Sequence, residues 1–413
     1  MKKISFAVIW FVVFGSMNAQ NIMYIDLTQA KFGEISANSI FEEIKYVPLE
    51  THTDGLLDIK NTTYYLTDKY IIATTAVRTI TITGTFGQIG GRRAYLFDRE
   101  TGKFIREVGS FGQGPDEYTG SIYHYYGFDE KNSILFVSNN EYIGGKCKGI
   151  NIKTNKVEII VTKPSHENPN ERLLTGPPWL IKDNMYVSFA NNITGKDKVR
   201  LILYDKEGSI VKRFPNYLEY EKKATDRSMP GSYGIFYNFD GKTYFKEYGY
   251  NDTVFRVDEK NITPHIIFRL GTKQPSYYFQ RNAESNKGKY LINFVTESNS
   301  YILFNFIYYT ETMRGPDGST TGRNVSIHTG YYDKKSKQAY ISSTTDYKKS
   351  GFVATGIPVN FHPISVNTRN EMITHIDPEE LMKYKDKIEP QYKNLFQNIQ
   401  EDDNPIVIIA KLK

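Results

Sequence analysis

The chain has 413 residues, of which 39% are hydrophobic, 14% aromatic and 24% charged, enough apolar material for an extensive core and too much for global disorder. The formal net charge is +6, and Lys2 and Lys3 supply two of those charges, so the remaining surplus is too dilute for the clustered basic face that nucleic acid requires. Cys147 is the single cysteine, which excludes an internal disulfide and leaves stability to burial alone.

In chain order, Lys2 and Lys3 precede a mainly apolar run at 4–14, and the small or polar Gly15, Ser16, Asn18 and Ala19 follow. This is the layout of a secretory signal peptide, read here as residues 1–19. The run is shorter than the about 20 residues that span a bilayer, and no cysteine follows it to accept a lipid. The expectation is an exported chain, periplasmic or extracellular, that is not a lipoprotein and has no transmembrane segment in its mature form. Residues 20–40 read as an N-terminal extension, and residues 41–413 as the folded body.

Residues 44–49 form the first strand candidate, and Pro48 suits an edge because it has no amide to donate to a ladder. A strand at 70–74 is followed by an insertion at 79–91. Residues 95–106 then read as a strand, a polar turn at Asp98 to Gly102, and a second strand. The same grammar recurs around Asn151, Asp205, Asp258 and Asp333, at spacings of 53, 54, 53 and 75 residues. Upstream of these turns lie further strand candidates at 134–138, 185–189, 243–247 and 301–307. The longest interval contains 313–323, where Gly315, Pro316, Asp317 and Gly318 read as an extended loop.

About four strands per repeat of this length is the pattern of a β-propeller blade. Residues 404–413 form a strand after which the chain stops, so one outer strand is missing from the last repeat. The strand at 44–49 is expected to supply it. The resulting expectation is an all-β, six-bladed β-propeller closed by pairing of an N-terminal strand with the C-terminal strand. One helical insertion is expected at 377–400. It begins with Asp377 as N-cap, Pro378 in the first turn and Glu379 and Glu380 behind it, and a break is expected at Pro390. Leu381, Tyr384, Ile388, Tyr392 and Phe396 would form its apolar side.

The segment from Gly109 to Tyr118, with Gly112, Gln113, Gly114, Pro115 and Glu117, resembles the linker between repeats of NHL-type propellers. Together with Tyr46, Val47, Pro48, Leu49 and Glu50, the turn from Phe97 to Lys103, and the terminal Asp402, Asp403, Asn404 and Pro405, it makes nearly the whole mature chain resemble the exported six-bladed propellers of unknown function found in gut Bacteroidetes, NHL-like or TolB-like in kind. The resemblance implies the fold and an envelope or extracellular location, and it carries no catalytic residues to transfer. The absence of a lipobox cysteine departs from many of those proteins.

The chemistry-bearing motifs are few. The seven histidines are scattered without the paired spacing of a zinc protease, and neither a nucleophile elbow nor a P-loop occurs. No metal or cofactor is expected, and the sequence assigns no catalytic residue. Cys147 lacks a catalytic partner, and the glycines of 112–115 read as a turn device because Pro115 removes an amide that a phosphate would need. Ligand contacts are expected in loops gathered at one end of the ring, through aromatic faces and directed hydrogen bonds from Asn and Arg. The candidates are Tyr142, Asn191, Tyr250, Arg314, Arg323 and His362. The functional expectation is a monomeric binding module for a glycan, a peptide or a cell-envelope protein; the alternative is a hydrolase or lyase with its site at the channel mouth.

Overall fold

The computed structural model describes the chain from Ile22 to Lys413, apart from residues 78–90, 113, 115–116, 119–120, 123–126, 139–144, 165–173, 193, 222–233, 248–251, 276–286, 315–319, 343–349, 355 and 364. The signal segment, the insertion at 79–90, Tyr142 and Tyr250 therefore lie outside the described residues.

Among the described residues the strands form seven sheets in a β-propeller arrangement. Blade 1 contains Thr62–Leu66, Tyr70–Val77, Gly91–Asp98 and Phe104–Glu107. In blade 2, Ile134–Ser138, Lys146–Asn151 and Val157–Thr162 carry two short inner pieces, Ser121–Ile122 and Phe128–Asp129. Blade 3 is Leu174–Lys182, Met185–Ala190, Val199–Asp205 and Ile210–Pro215. Blade 4 runs through Gly234–Phe239, Lys242–Glu247, Thr253–Val257 and Ile262–Arg269. Blade 5 runs through Tyr290–Glu297, Tyr301–Arg314, Thr320–Asp333 and Gln338–Ser342. Blade 6 is a three-stranded sheet built on Phe352–Val353 and Asn360–Phe361. Blade 7 holds Ser365–Val366, Glu371–Ile376 and Ile406–Leu412.

Both faces of a blade are covered by its neighbours, so the middle strands are apolar almost without alternation: Leu201, Ile202, Leu203 and Tyr204 are all fully buried. An apolar cluster fills each interval between blades. Val187, Phe189, Leu201 and Phe214 of blade 3, for example, meet Phe236, Phe245 and Val257 of blade 4. The first strands of blades 3, 4 and 5 touch one another in succession, which sets these strands around the axis and the last strands at the rim.

The residues expected as a detached extension belong to the rim. Met23–Asp26 lies parallel on Ile262–Arg269 of blade 4, Lys31–Gly33 on Gln338–Ser342 of blade 5, and Ile35–Ser36 on Phe352–Val353 of blade 6. Phe41–Pro48 then pairs antiparallel with Ile406–Leu412. Residues 23–48 thus form a strap that adds an outer strand to four consecutive sheets, and Ile25, Leu27, Ile35, Ala37, Ile40 and Phe41 are buried under it.

Three expectations are corrected. Seven sheets replace six, because blade 6 consists of two-residue strands, too short to carry an alternating pattern, and takes its third strand from Ile35–Ser36, some three hundred residues away in sequence. The pairing of the first and last parts of the chain completes one blade, but among the described residues no strand ladder passes from sheet to sheet, so there hydrogen bonds do not close the ring. Blades 7 and 1 meet by packing of Val47, Leu49, Ile373 and Val407 on Tyr64, Leu66, Ile71 and Phe97. Finally, 313–323 is not an extended loop: Tyr301–Arg314 and Thr320–Asp333 make one long hairpin, with Thr312 opposite Arg323 and Arg314 opposite Thr320. Only 315–319 falls between its strands.

Three of the motifs that carried the family resemblance meet at the seam of blades 7 and 1, and the fourth, at 109–118, packs between blades 1 and 2. Gly102 has φ of +71° and approaches Pro48 so closely that a Cβ would lie 1.9 Å from its carbonyl oxygen. The Glu50 amide donates to Gly102 O at 2.9 Å, and Glu50 Oε2 accepts from the Phe104 amide at 2.8 Å. Asn404 donates to Glu50 O and Gly55 O and accepts from the Leu57 amide. Gly112 and Gly114 wrap the Glu117 carboxylate, whose Oε2 takes the Gly114 amide at 2.7 Å, so a side chain of the protein itself occupies this glycine turn. The helical insertion divides into α1 (Pro378–Met382) and α2 (Pro390–Phe396). Asp377 caps α1 by accepting from the Glu379 amide at 2.9 Å. Leu381, Ile388 and Phe396 sit in the core shared by blades 5, 6 and 7, with Tyr384 and Tyr392 packed against it.

Two measurements test this architecture. Ile25→Ala empties a fully buried site between the strap and blade 4, and is expected to lower stability to denaturant by about 2–5 kcal/mol; an unchanged midpoint would detach the strap from the fold. The second concerns His375, buried on the blade 7 side of the seam with its ring centroid 5.3 Å from that of Tyr64; neither His375 Nδ1 nor Tyr64 Oη has a hydrogen-bond partner among the described residues. Burial lowers the imidazole pKa from 6.5 to about 4. Below 6.5 the unfolded chain binds a proton that the folded chain refuses until about 4, so this site's stability is full above 6.5 and is lost as the pH falls to about 4. The loss amounts to about 3 kcal/mol. Denaturant titrations at stepped pH should show that much less acid sensitivity in His375→Phe than in the natural chain.

Candidate functional site

In an up-and-down blade the connections alternate between the two ends. The turns at Asp98, Asn151, Asp205, Asp258 and Asp333 lie on one face of the ring, and the described residues after the second strand of blade 3 lie on the other. That second face carries a described surface at blade 3, made from residues 191–192 and 194–198 after the second strand and 216–221 after the last.

Two buried asparagines lock these segments together. Asn192 donates from Nδ2 to Leu218 O at 3.0 Å and accepts at Oδ1 from the Asp197 amide at 3.1 Å. Asn216 donates from Nδ2 to Asp197 O at 3.0 Å and to Leu218 O at 3.1 Å, while its Oδ1 accepts from the Leu218 amide at 3.1 Å. The Tyr220 hydroxyl donates to Asn192 O at 2.6 Å, and its amide to Gly195 O at 2.9 Å. Behind Asn216, Arg200 reaches its Oδ1 at 3.3 Å, forms an ion pair with Glu247 of blade 4 at 3.3 Å, and lies over the Phe255 ring at 5.1 Å. What this scaffold presents is Tyr217, whose side chain is 84% exposed, the most exposed of the large hydrophobic residues described. Two residues on, Glu219 forms an exposed ion pair with Lys198, whose hydrogen bond holds the Glu219 carboxyl below its usual pKa.

A second polar network lies between blades 5 and 6. His362 Nδ1 is 2.6 Å from Thr329 Oγ1, which donates to Asn305 Oδ1 at 2.8 Å, and His362 Nε2 is 3.5 Å from Ser350 Oγ. Asn305 also donates to Pro363 O, and Ser350 donates to Ile327 O. On the opposite face of blade 5, His328 lies between Ser326 Oγ at 2.9 Å and Ser342 O at 3.0 Å, with burial lowering its pKa. These groups pin the small blade to its neighbour.

Buried carboxylates at other seams are similarly engaged. Burial works against the charge of Glu297, but His265 Nε2 at 2.8 Å and Lys334 at 2.6 Å hold its pKa low. Burial likewise opposes Glu371, which Arg99 and Asn367 stabilise as a carboxylate. Lys246 is wholly enclosed and donates to Glu247 O at 2.8 Å and across to Ile292 O of blade 5 at 2.9 Å; burial brings its pKa down to about 7. Burial pushes the Cys147 thiol up to about 11, which leaves it protonated and poorly nucleophilic. Among the described residues no three His, Cys, Asp or Glu side chains gather as a metal site.

Of the six residues expected to bind a ligand, Asn191 and His362 lie in different parts of the ring. Asn191 adjoins the Tyr217 scaffold through Asn192, whereas His362 belongs to the network between blades 5 and 6. Arg314 and Arg323 have strand backbones near the tip of the blade 5 hairpin. Tyr142 and Tyr250 lie outside the described residues. Tyr217 escaped the sequence reading because tyrosine is so frequent here; the usable signal was Pro215, which ends the strand and frees the next residues from its alternation.

The family described as a domain of unknown function, DUF4934, matches residues 23–411, from the first strap strand to the end of the last blade. The chain belongs to the DUF4934 family. Among solved structures it is similar to one described as a candidate exported protein from Bacteroides fragilis NCTC 9343, with 14% identity, a TM-score of 0.63, and coverage of 95% of this chain and 99% of that one. It is also similar to a DUF4221 family member from Bacteroides vulgatus ATCC 8482, with 11% identity, a TM-score of 0.51, and coverage of 93% and 99% respectively. At these identities the likeness shows the propeller fold. No curated protein matches the chain. Among the described residues no helix is long and apolar enough to cross a membrane.

Asn216 sits at the centre of the blade 3 scaffold, and Asn216→Ala leaves buried amide and carbonyl groups unpaired. The expected cost is about 1–3 kcal/mol. Hydrogen exchange should accelerate at 192–198 and 216–220 before it changes elsewhere; uniform acceleration around the ring, or none, would contradict a local scaffold.

Proposed function

We propose that this DUF4934 protein is an exported binding module that recognises a glycan, a peptide or an envelope protein through the loop face of the ring, with Tyr217 of blade 3 as its principal contact. The observation that carries the reading is an outward aromatic ring on a segment fixed from behind by two buried asparagines. A long exposed side chain on a mobile loop would lose entropy on binding, whereas a rigid aromatic with two rotatable bonds loses little. The state of the buried acids supports binding over hydrolysis or elimination. A general acid needs a carboxyl held protonated, while Glu297 and Glu371 are held ionised by cationic partners. Export rests on the signal-like segment at 1–19 and accords with the described nature of the B. fragilis protein of the same fold.

The test is an array of glycans and peptides probed with the mature chain and with Tyr217→Ala, followed by recovery of the retained ligand. The natural chain is expected to hold a ligand that is recovered chemically intact, and the variant to retain its thermal midpoint while binding about tenfold more weakly. A ligand recovered cleaved, or binding equal in the two proteins, would overturn the reading.

A further inference from the structure

We infer that the Tyr217 surface takes a neutral sugar, with the apolar face of a pyranose ring on the tyrosine and its hydroxyls shared between Lys198 and Glu219. This inference rests on the binding reading above and narrows it to one ligand class. Three observations favour that class.

The first is the main chain. A peptide lying along the surface would be held chiefly by backbone hydrogen bonds, but those of the scaffold are already used internally. Asn192 O, Gly195 O, Asp197 N and O, Lys198 O, and Leu218 N and O all have partners within it.

The second is the side-chain pair itself. Lys198 and Glu219 are well exposed and hydrogen-bonded to each other. The ammonium only donates and the ionised carboxylate only accepts. A hydroxyl does both, so one hydroxyl, or two on adjacent carbons, can insert between the pair and satisfy each partner. Aliphatic or aromatic groups gain nothing from such a pair.

The third is charge. Lys196 and Lys198 stand against Asp197, Glu219 and Glu221 over the two segments, so neither sign prevails. A phosphate, a uronate or a nucleic-acid backbone would meet carboxylates as often as cations, and a strongly cationic ligand would meet lysines. A flat aromatic face beside a balanced donor and acceptor suits an uncharged polyol with one apolar face.

The experiment is calorimetric titration of the mature chain with neutral hexose oligosaccharides, with uronate-containing oligosaccharides and with unstructured peptides, at low and high salt. Binding to a neutral oligosaccharide is expected, with little dependence on salt. Tyr217→Ala should weaken it about tenfold and Tyr217→Trp should retain it. Glu219→Gln should weaken it several-fold, because the amide cannot replace both acceptor positions. Both side chains are exposed, so the thermal midpoints of the three variants should match that of the natural chain. Tyr217-dependent binding of peptides alone, or salt-sensitive binding of the uronates alone, would overturn the sugar assignment and leave the binding reading standing. Failure of every ligand class to depend on Tyr217 would overturn both.

Discussion

The ring depends on edge pairing by its own first residues. A blade's last strand has unused hydrogen-bonding groups on its outer side; residues 23–48 occupy that side in blades 4, 5 and 7, and in blade 6 they pair with Phe352–Val353. The strap gives blade 6 a third strand and gives blade 7 its fourth. It also carries apolar residues into the intervals: Ile25 and Leu27 join the cluster between blades 4 and 5, while Ile35, Ile40 and Phe41 join the one shared by blades 5, 6 and 7. With no disulfide to hold the circle, one continuous segment crossing four sheets restrains their relative movement more than packing alone would.

Polar side chains supplement this at the seams. Arg99 reaches Glu371 from blade 1 to blade 7, Arg106 reaches Ile152 O from blade 1 to blade 2, Arg200 reaches Glu247 from blade 3 to blade 4, and His265 reaches Glu297 from blade 4 to blade 5. Each group is at least partly withdrawn from water and therefore needs its partner across the seam. Such pairs add register to an apolar contact that could otherwise slide.

The repeating turns were legible because each uses an Asp or Asn whose side chain caps the amides two and three residues on, as Asp98, Asn151, Asp258 and Asp333 do. That local device repeats at a fixed spacing and leaves its mark in composition. The pairing of 41–48 with the last strand was legible for a related reason, since a sheet short of one strand points to a strand without a sheet. Blade 6 and the parallel strap strands were not. Two- or three-residue strands have no measurable period, and their partners are determined by proximity in the folded ring alone. At the candidate site the sequence pointed to Asn191 and missed Tyr217, because exposure depends on how Asn192 and Asn216 fold two distant segments together, and those asparagines look like ordinary loop residues.

The strap also sets an order on folding. Its residues are synthesised before the rest of the ring, yet the strands they join lie some 240 to 370 residues later. Blades 1, 2 and 3 contain only strands close in sequence and can form as local units. Blades 4 and 5 can form four strands locally but keep an open edge until the strap settles, and blades 6 and 7 are incomplete without it. The first half of the ring therefore has the contacts to form early, while the second half must wait for the head of the chain to return. During that wait the apolar strap and the unpaired strands of blade 7 are the segments most exposed to mispairing with another chain. The charged residues interleaved there, Glu42, Glu43 and Lys45 on the strap and Lys411 on the last strand, place like and unlike charges along both edges. Lys411 meets Glu42 across the finished pair, so the same charges that discourage foreign pairing favour the native one.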